Sequence, residues 1–218
     1  MKRLLITGAS RGIGKSISEL LGTRSDIELV TPSRSECDLS NEDSVAQYLS
    51  NTQPFDFIVN NAGINVIKKV TDILDEDIAQ LNRINLESPL KIIRHSAEHM
   101  QSNKFGRIVN IGSIWSVRSK EHRTLYSGSK FGIAGYTKAL AHELGADNVL
   151  INTVCPGFID TELTRASLSD DERSALIEQV PLKRFGRPQE VAEFVEFLLF
   201  KNSFITGQSL VIDGGFTA

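Results

Sequence analysis

Short apolar runs alternate along the chain with longer segments of helical periodicity. The runs are rich in β-branched residues and read KRLLITG, ELVT, FDFIVN, RIVNI, LINTV and SLVI. Between most of them, apolar residues recur at the three-to-four-residue spacing of an amphipathic helix. Such alternation is typical of a parallel sheet with helices on both faces. The pattern therefore predicts an α/β fold built on a single doubly wound parallel sheet.

Five helical segments are predicted around these strands. They cover residues 13–21, 42–50, 75–101 with a break near Pro89, 126–144 and 188–200. Ser40, followed by Asp43, reads as a capping-box variant that begins the second helix. Ser169 stands before three acidic residues and is a helix start inside segment 157–187, which has no clear strand. A segment of this size beyond a strand end predicts a substrate lid.

Composition limits the classes of function that remain. A chain of 218 residues that is 40% hydrophobic, without a linker or a repeat, fits one domain over residues 1–218. A net charge of −3 argues against nucleic acid or an anionic membrane as partner. No apolar run approaches the ~20 residues of a membrane span, so a cytoplasmic protein is expected. Cys37 and Cys155 are too few for a disulfide framework or a metal site, so neither is predicted to take part in the chemistry.

The motif TGASRGIG, residues 7–14, ends the first predicted strand and begins the first helix. Glycines at Gly8, Gly12 and Gly14 let the backbone turn sharply and approach a pyrophosphate, which a helix N-terminus attracts. The spacing differs from the Gly-x-Gly-x-x-Gly fingerprint, so an ordinary strand-to-helix turn is the alternative. NNAG, residues 60–63, follows the third strand, where its small and amide side chains suit either an adenosine edge or a structural turn.

Arg34 follows the second strand, where an acidic residue would hold the ribose of NAD. The planar guanidinium suits a 2′-phosphate instead, and Arg11 could share that phosphate. This arrangement favours NADP(H) over NAD(H). The alternative is that the arginines are solvated and that Glu36 or Asp38 binds an unphosphorylated ribose.

The pentapeptide YSGSK, residues 126–130, places Tyr126 and Lys130 on one helix face, one turn apart. A phenol has a reference pKa of ~10 and is a reluctant acid. An ammonium ~5 Å away contributes roughly 3 kcal/mol at an effective dielectric of ~20, which predicts a pKa for Tyr126 lowered by about two units. Such a shift would bring the phenol toward the pH at which it exchanges a proton efficiently. Ser113 lies just past the fourth strand, thirteen residues before Tyr126. An exposed Tyr–Lys pair on a surface helix is the alternative.

With the glycine loop, NNAG, the serine and Tyr-x-x-x-Lys in this order, the chain resembles the short-chain dehydrogenase/reductase family nearly end to end. CPGFIDTEL at 155–163, PLKRFGRPQEVAEFVEFLL at 181–199 and ITGQSLVIDGG at 205–215 are similar to its 3-oxoacyl-carrier-protein reductase branch. The resemblance implies a Rossmann-like fold, a homodimer or homotetramer, and hydride transfer between NADP(H) and a carbonyl or secondary alcohol. A 3-oxoacyl thioester is one candidate substrate. The alternatives are an NAD-linked alcohol or nucleotide-sugar dehydrogenase and an inactive nucleotide-sensing protein.

The resemblance also implies a role for each site residue. Tyr126 would donate or accept the proton, Lys130 would lower its pKa and hold the nicotinamide ribose, and Ser113 would bind the substrate oxygen. Asn85 matches the position of a proton-relay water. The further cofactor-binding residues that the resemblance implies are Gly8, Ser10, Arg11, Gly12, Ile13 and Gly14 at the phosphates, Asp38 and Leu39 at the adenine, Asn61, Ala62 and Gly63 on the adenosine side, and Pro156, Gly157, Ile159 and Thr161 at the nicotinamide.

One local feature separates this chain from the family pattern. Members usually place a helix between the arginine and the aspartate, but only the tripeptide SEC separates Arg34 from Asp38. The third strand of the usual sheet is therefore expected to be short or absent, with a more open adenine pocket. The loop before Tyr126 carries Arg118, Lys120 and Arg123, which predict a positive rim for an anionic substrate or carrier, with a solvated loop as the alternative. Trp115 in the same loop is predicted to offer a flat apolar wall.

Overall fold

Six parallel strands form one sheet in the computed structural model, which describes the backbone throughout and the side chains of residues 1–162, 164–166 and 168–218. The strands are β1 (Lys2–Ile6), β2 (Ile27–Val30), β3 (Phe57–Asn60), β4 (Gly106–Ile111), β5 (Val149–Pro156) and β6 (Ser209–Ile212). They pair in the order β2-β1-β3-β4-β5-β6. Each apolar run of the sequence has become a strand, and the predicted doubly wound α/β fold is confirmed.

Eight α-helices connect or follow the strands. They are α1 (Gly12–Leu21), α2 (Glu42–Ser50), α3 (Asp75–Asn82), α4 (Ser88–Ser102), α5 (Thr124–Leu144), α6 (Glu162–Ser167), α7 (Asp170–Gln179) and α8 (Pro188–Phe200). The predicted helix 75–101 is divided by a π-helical turn, Arg83–Glu87. The turn ends just before Pro89, whose ring is tolerated in the first turn of α4 because the missing N–H has no partner there. None of the eight helices is both long and apolar enough to cross a membrane, as judged on the described side chains.

Both faces of the sheet are covered, as alternation along β1 illustrates. Leu4 and Ile6 point to one face and pack with residues of α1 and α8, whereas Leu5 points to the other and packs with residues of α2 and α4. All three side chains are fully buried. Each contributes about 1.5–3 kcal/mol of burial free energy, so the near-continuous apolar strands hold the helices on both sides.

Helix α2 has the predicted bounds, but its N-cap lies one residue later than predicted. Its N-cap is Asn41, whose side-chain oxygen accepts the N–H of Ser44 at 3.1 Å. The predicted cap, Ser40, is wrong because its hydroxyl donates to the carboxylate of Asp38 at 2.6 Å. A charged acceptor competes well for a nearby hydroxyl, so the serine stabilises the preceding turn rather than the helix.

The chain after β2 turns directly toward α2. The N–H groups of Glu36 and Cys37 both donate to the carbonyl oxygen of Ser33, at 3.2 and 3.0 Å, and close a short turn. In the described part of the chain, β2 pairs with β1 alone. Dinucleotide-binding sheets typically have a further strand outside the one that corresponds to β2. That strand is absent from the described part of this chain, as the short spacing between Arg34 and Asp38 predicted.

Segment 157–187 leaves β5 and returns beside its own start. Backbone hydrogen bonds join Asp160 to Gly186 at 2.8 Å and Gly186 to Phe158 at 2.9 Å, so the two ends of the segment are clamped together. Between them stand α6 and α7. Ser169 caps α7 in a reciprocal capping box with Glu172, which confirms the predicted helix start.

Candidate active site

The predicted site residues lie at one edge of the sheet. Gly8 follows β1, Asn61 follows β3, Ser113 follows β4 and Gly157 follows β5. In a parallel sheet the carboxyl ends of the strands meet at the same edge, which is where α/β proteins bind ligands. The topology therefore brings together motifs that are up to about 150 residues apart.

The glycine loop requires each of its three glycines. Gly8 and Gly12 have φ values of +68° and +56°, in the left-handed region that other residues rarely adopt. A Cβ at Gly14 would lie 2.2 Å from the carbonyl oxygen of Gly8. Asn61 holds the loop from below, since its amide donates to the carbonyl oxygens of Thr7 and Gly8, both at 3.0 Å. Asn61, the second asparagine of NNAG, thus supports the turn of the glycine loop.

The N-terminus of α1 is open for an anion. The helix begins at Gly12, its N-cap residue Arg11 makes no side-chain capping bond, and the first turn, Gly12 to Gly14, has no acidic residue. Its first N–H groups therefore have no intrahelical partner and carry the positive end of the helix dipole. Ser10 and Arg11 are exposed beside them, whereas the Ile13 side chain packs against the core. These groups fit the pyrophosphate of a dinucleotide.

Tyr126 and Lys130 lie on one face of α5, as predicted. The Nζ atom of Lys130 lies 5.6 Å from the centre of the Tyr126 ring. Lys130 is only 6% exposed, and its Nζ donates a 2.7 Å hydrogen bond to the carbonyl oxygen of Ile111, the last residue of β4. The ammonium is therefore fixed between the helix and the end of the strand, and the alternative of an exposed surface pair is wrong.

The pKa of Tyr126 shifts opposite to the prediction. Burial raises the pKa of the phenol, although part of Tyr126 remains accessible to solvent, and a hydrogen bond with Ser113 and the charge of Arg123 offset this effect. Burial also lowers the pKa of Lys130 to about 8. Removing both groups from water disfavours phenolate and ammonium alike, and this cost outweighs the attraction that the sequence argument counted.

Ser113 binds the phenol of Tyr126 and is itself buried. Its backbone N–H donates to the hydroxyl of Ser116 at 3.2 Å. The thiol of Cys155 lies beneath, where it is hydrogen-bonded to the Ser116 hydroxyl and the Ser113 backbone, and burial raises its pKa. Sequence reasoning missed this support, because nothing in the local pattern links Cys155 to the serine loop. Among the described side chains, no three His, Cys, Asp or Glu residues cluster to hold a metal ion.

Asn85 lies in the π-helical turn and is 3% exposed. Its amide donates to the Ile64 carbonyl oxygen and to the Ser129 hydroxyl, both at 3.0 Å, and its oxygen accepts the Ile64 N–H at 2.9 Å. A Cβ at Gly63 would lie 3.3 Å from the Asn85 oxygen and 3.6 Å from Lys130 Nζ. The glycine of NNAG therefore leaves a narrow space between these two polar groups. A water relay through Asn85 stays a prediction.

The expected 2′-phosphate residues are exposed. The Arg34 side chain is 78% exposed, and its Nε lies 3.3 Å from a carboxylate oxygen of Asp38. Hydrogen bonds from Ser40 lower the pKa of Asp38 and fix its carboxylate. Glu36 instead accepts the N–H and hydroxyl of Ser33, at 2.8 and 2.7 Å. An open polar depression of about 480 Å³ lies beside Asp38, at the predicted adenine position.

The residues assigned to the nicotinamide end extend from β5 toward the glycine loop. Pro156 ends the strand, Gly157 packs against Asp213, and Ile159 is buried in the core. The hydroxyl of Thr161 accepts the N–H of Thr164 and caps α6, while its methyl group would lie 3.4 Å from a Cβ at Gly12. Leu39, assigned to the adenine, packs partly buried in the core on the opposite face. These cofactor assignments stay predictions.

The loop before α5 does not present Trp115 as the expected apolar wall. Trp115 is 6% exposed, and Lys120 Nζ and Arg123 Cζ both lie 5.9 Å from the centre of its ring. The predicted flat wall for a substrate is wrong, because the two cations cover the indole. Arg118 instead lies over the ring of Phe216, 5.1 Å from its centre.

Comparisons with known proteins show the family of the chain. The family model described as enoyl-(acyl carrier protein) reductase matches residues 23–217. The 3-oxoacyl-[acyl-carrier-protein] reductase of Rickettsia prowazekii (strain Madrid E) is 33% identical over an alignment of 232 residues, gaps included. The alignment covers 98% of this chain and 96% of that protein.

Two solved structures share the fold over nearly the whole chain. A 3-oxoacyl (acyl-carrier-protein) reductase from Agrobacterium tumefaciens C58 with NADP bound has a TM-score of 0.86 at 26% identity and covers 98% of this chain and 93% of its own. A 4-hydroxyisoleucine dehydrogenase complexed with NADH has a TM-score of 0.89 at 29% identity and covers 100% and 99%. The chain belongs to the short-chain dehydrogenase/reductase family.

Proposed function

We propose that this chain transfers a hydride between NADP(H) and a carbonyl or secondary alcohol. The observation that carries the proposal is the set of Ser113, Tyr126 and Lys130, in which one hydroxyl binds another and a buried ammonium stands 5.6 Å from the phenol ring. A structural helix face has no need of a buried lysine, since removing its charge from water costs several kcal/mol. A protein that only senses nucleotides would gain nothing from the buried lysine and would not be expected to retain it.

Each residue of the set has one role in carbonyl reduction. The bound nicotinamide would supply the hydride. The Tyr126 phenol is protonated at neutral pH and can donate its proton to the substrate oxygen. Burial raises its pKa and makes it a weaker acid, and the hydrogen bond with Ser113 and the charge of Arg123 offset part of that effect. Ser113 hydrogen-bonds the same oxygen, and Lys130 stabilises the phenolate that remains. Acid–base catalysis of this kind contributes about 10²–10⁴ to the rate.

NADP(H) is the cofactor that the charges favour. The open N-terminus of α1 suits the pyrophosphate, and the exposed Arg11 and Arg34 suit a 2′-phosphate. The ion pair between Arg34 and Asp38 supports NAD(H) as the second candidate, because Asp38 could accept a ribose hydroxyl once Arg34 moves aside. The structural relatives include both an NADP-bound and an NADH-bound enzyme.

The relatives named as 3-oxoacyl-[acyl-carrier-protein] reductases support a 3-oxoacyl thioester as candidate substrate. Segment 157–187 would close over it as a lid, within one domain. Exposed apolar side chains support self-association as a homodimer or homotetramer, since Phe131 on α5 is 47% exposed and Phe204 is 95% exposed.

Initial rates of NADPH and NADH oxidation test the proposal. The substrates would be acetoacetyl-coenzyme A, acetoacetate, a simple ketone and a keto-sugar nucleotide. We expect turnover of at least one carbonyl compound, faster with NADPH at subsaturating cofactor. Absence of turnover with every compound, in a protein that binds NADPH, would contradict the proposed function.

A further inference from the structure

Arg123 carries a positive charge that no carboxylate among the described side chains pairs with. Its Nε is buried without a hydrogen-bond partner, and its guanidinium lies over Trp115. Among the side chains that the structure describes, Arg123 makes no ion pair, whereas Arg165, Arg173 and Arg184 each pair with a carboxylate. Arg123 as a whole is partly buried, and removing a guanidinium nitrogen from water without an acceptor is costly, so such a group usually serves a ligand or a structural partner.

The position of Arg123 links this cation to the reacting phenol. It stands one helical turn before Tyr126, and its positive charge favours the phenolate of Tyr126. The residue before it, His122, has a φ of +63°, in the left-handed region that costs a non-glycine residue energy. This strained turn directs the chain into α5 and places Arg123 beside the site. Arg118 and Lys120 of the same loop are exposed.

Two cations therefore lie near Tyr126: Lys130 Nζ is 5.6 Å from its ring centre, and Arg123 precedes it by one helical turn. Lys130 is occupied by the carbonyl oxygen of Ile111 and has no carboxylate partner in the described residues. In the described part of the chain the Nε of Arg123 has no acceptor, and the fork geometry of a guanidinium matches a carboxylate, which can take two parallel hydrogen bonds. A positive potential close to the reacting carbon selects substrates by charge.

We propose that Arg123 binds a carboxylate of the substrate itself, so that the enzyme acts on short oxo acids or the corresponding hydroxy acids. This inference rests on the proposed function and narrows it, because a 3-oxoacyl thioester has no carboxylate near the reacting carbonyl. An arginine that only stabilises the phenolate or the developing oxyanion would act equally on charged and neutral substrates.

Acetoacetate and methyl acetoacetate form a matched pair of probes, since both carry the same ketone and only the first is an anion. Trp115 is the only tryptophan of the chain and lies under Arg123, so its fluorescence reports occupancy of the site. Titrations would be run with NADP⁺ present, so that no reduction occurs, on the wild type, Arg123→Gln and Arg94→Gln. Arg94 is exposed on α4 and matches the change in net charge.

We expect the wild type to bind acetoacetate at least ~10-fold more tightly than the ester, the scale of a charged hydrogen-bonded pair. Arg123→Gln should abolish this difference by weakening acetoacetate alone, while Arg94→Gln should keep it. Equal affinities for the two probes in the wild type would overturn the inference. An equal loss of both probes in Arg123→Gln would also overturn it, and the glutamine variant's melting curve would confirm that it is folded.

Turnover separates this inference from the proposed function. Reduction of both compounds by NADPH with equal kcat/KM would leave the proposed function standing and refute the carboxylate site. Selective, Arg123-dependent binding of acetoacetate without reduction of either compound by NADPH or NADH would support the anion site and contradict the proposed oxidoreductase activity.

Discussion

The Nζ of Lys130 lies 5.6 Å from the ring centre of Tyr126, and both residues lose most of their hydration in this arrangement. Burial makes each charged form less stable than in water, so the pair is held in place by packing and by the Ile111 carbonyl rather than by mutual attraction. Groups with shifted pKa values in a cleft are typical of catalytic sites. The stability cost of Lys130 gives a first prediction.

Stability should depend on pH through Lys130. Its pKa is lowered from 10.5 to about 8, so between these values the unfolded chain holds a proton that the native protein has released. Stability contributed by Lys130 therefore rises with pH across this window. We expect the free energy of unfolding of the wild type, relative to Lys130→Met, to increase by roughly 2 kcal/mol from pH ~7 to ~9.5.

Urea unfolding of both proteins at the two pH values measures this difference. Comparing the two proteins at each pH cancels the contribution of titrating groups that they share. Comparing the two pH values cancels the cost of the Ile111 carbonyl, which methionine leaves unbonded at both. A difference that stays constant or falls with pH would show that Lys130 is not desolvated as the structure describes.

Cofactor choice should depend on Arg34. We expect the wild type to bind NADPH more tightly than NADH, and Arg34→Asp to reverse the preference, because the new carboxylate repels a 2′-phosphate and can accept a ribose hydroxyl bond. Isothermal titration with each cofactor tests this, with Arg94→Gln as control for net charge. Equal affinity of the unmutated protein for the two cofactors would refute the role of Arg34.

The glycine loop should tolerate no side chain at Gly14. A Cβ there would lie 2.2 Å from the Gly8 carbonyl oxygen, so Gly14→Ala should shift the loop, cost about 1–3 kcal/mol of stability and weaken NADPH binding. Gly135→Ala is the matched control, because a Cβ at Gly135 in α5 meets nothing within 4 Å. That variant should gain about 0.5–1 kcal/mol from helix propensity. Thermal melting and cofactor titration report both effects, and equal behaviour of the two variants would contradict the described loop.

How firmly the lid segment is held in place should depend on Asp160. Its carboxylate accepts hydrogen bonds from Arg165 and Arg173, both at 2.9 Å, and these bonds lower its pKa to about 2. Asp160→Asn removes the charge that ties α6 and α7 to the end of β5. We expect faster proteolysis within residues 162–180 and a KM raised several-fold more than kcat falls, as for lids that gate substrate. Unchanged proteolysis and KM would show that the segment does not act as a lid held by this carboxylate.

Sequence reasoning located the elements well because the signals are local. Strand β6 and helices α2 and α8 have the predicted bounds, and the short spacing between Arg34 and Asp38 correctly predicted the missing strand. Periodicity and chain length settle such questions without knowledge of tertiary contacts.

Effects that depend on burial could not be predicted in the same way. Three findings depend on which groups lose water when distant segments meet. They are the direction of the Tyr126 pKa shift, the burial of Trp115 and the Arg123 Nε, which has no acceptor among the described residues. Cys155 shows the same limit, since it reaches the Ser113 loop only because β4 and β5 are neighbours in the sheet.

Replacement of Tyr126 by phenylalanine tests the central claim most directly. The kcat for NADPH-dependent carbonyl reduction and the Kd for NADPH would be measured on the wild type and Tyr126→Phe. If Tyr126 donates the proton, kcat should fall at least ~100-fold while the Kd stays within a few fold, because only acid–base catalysis is lost. Turnover by Tyr126→Phe close to that of the wild type would contradict the assignment.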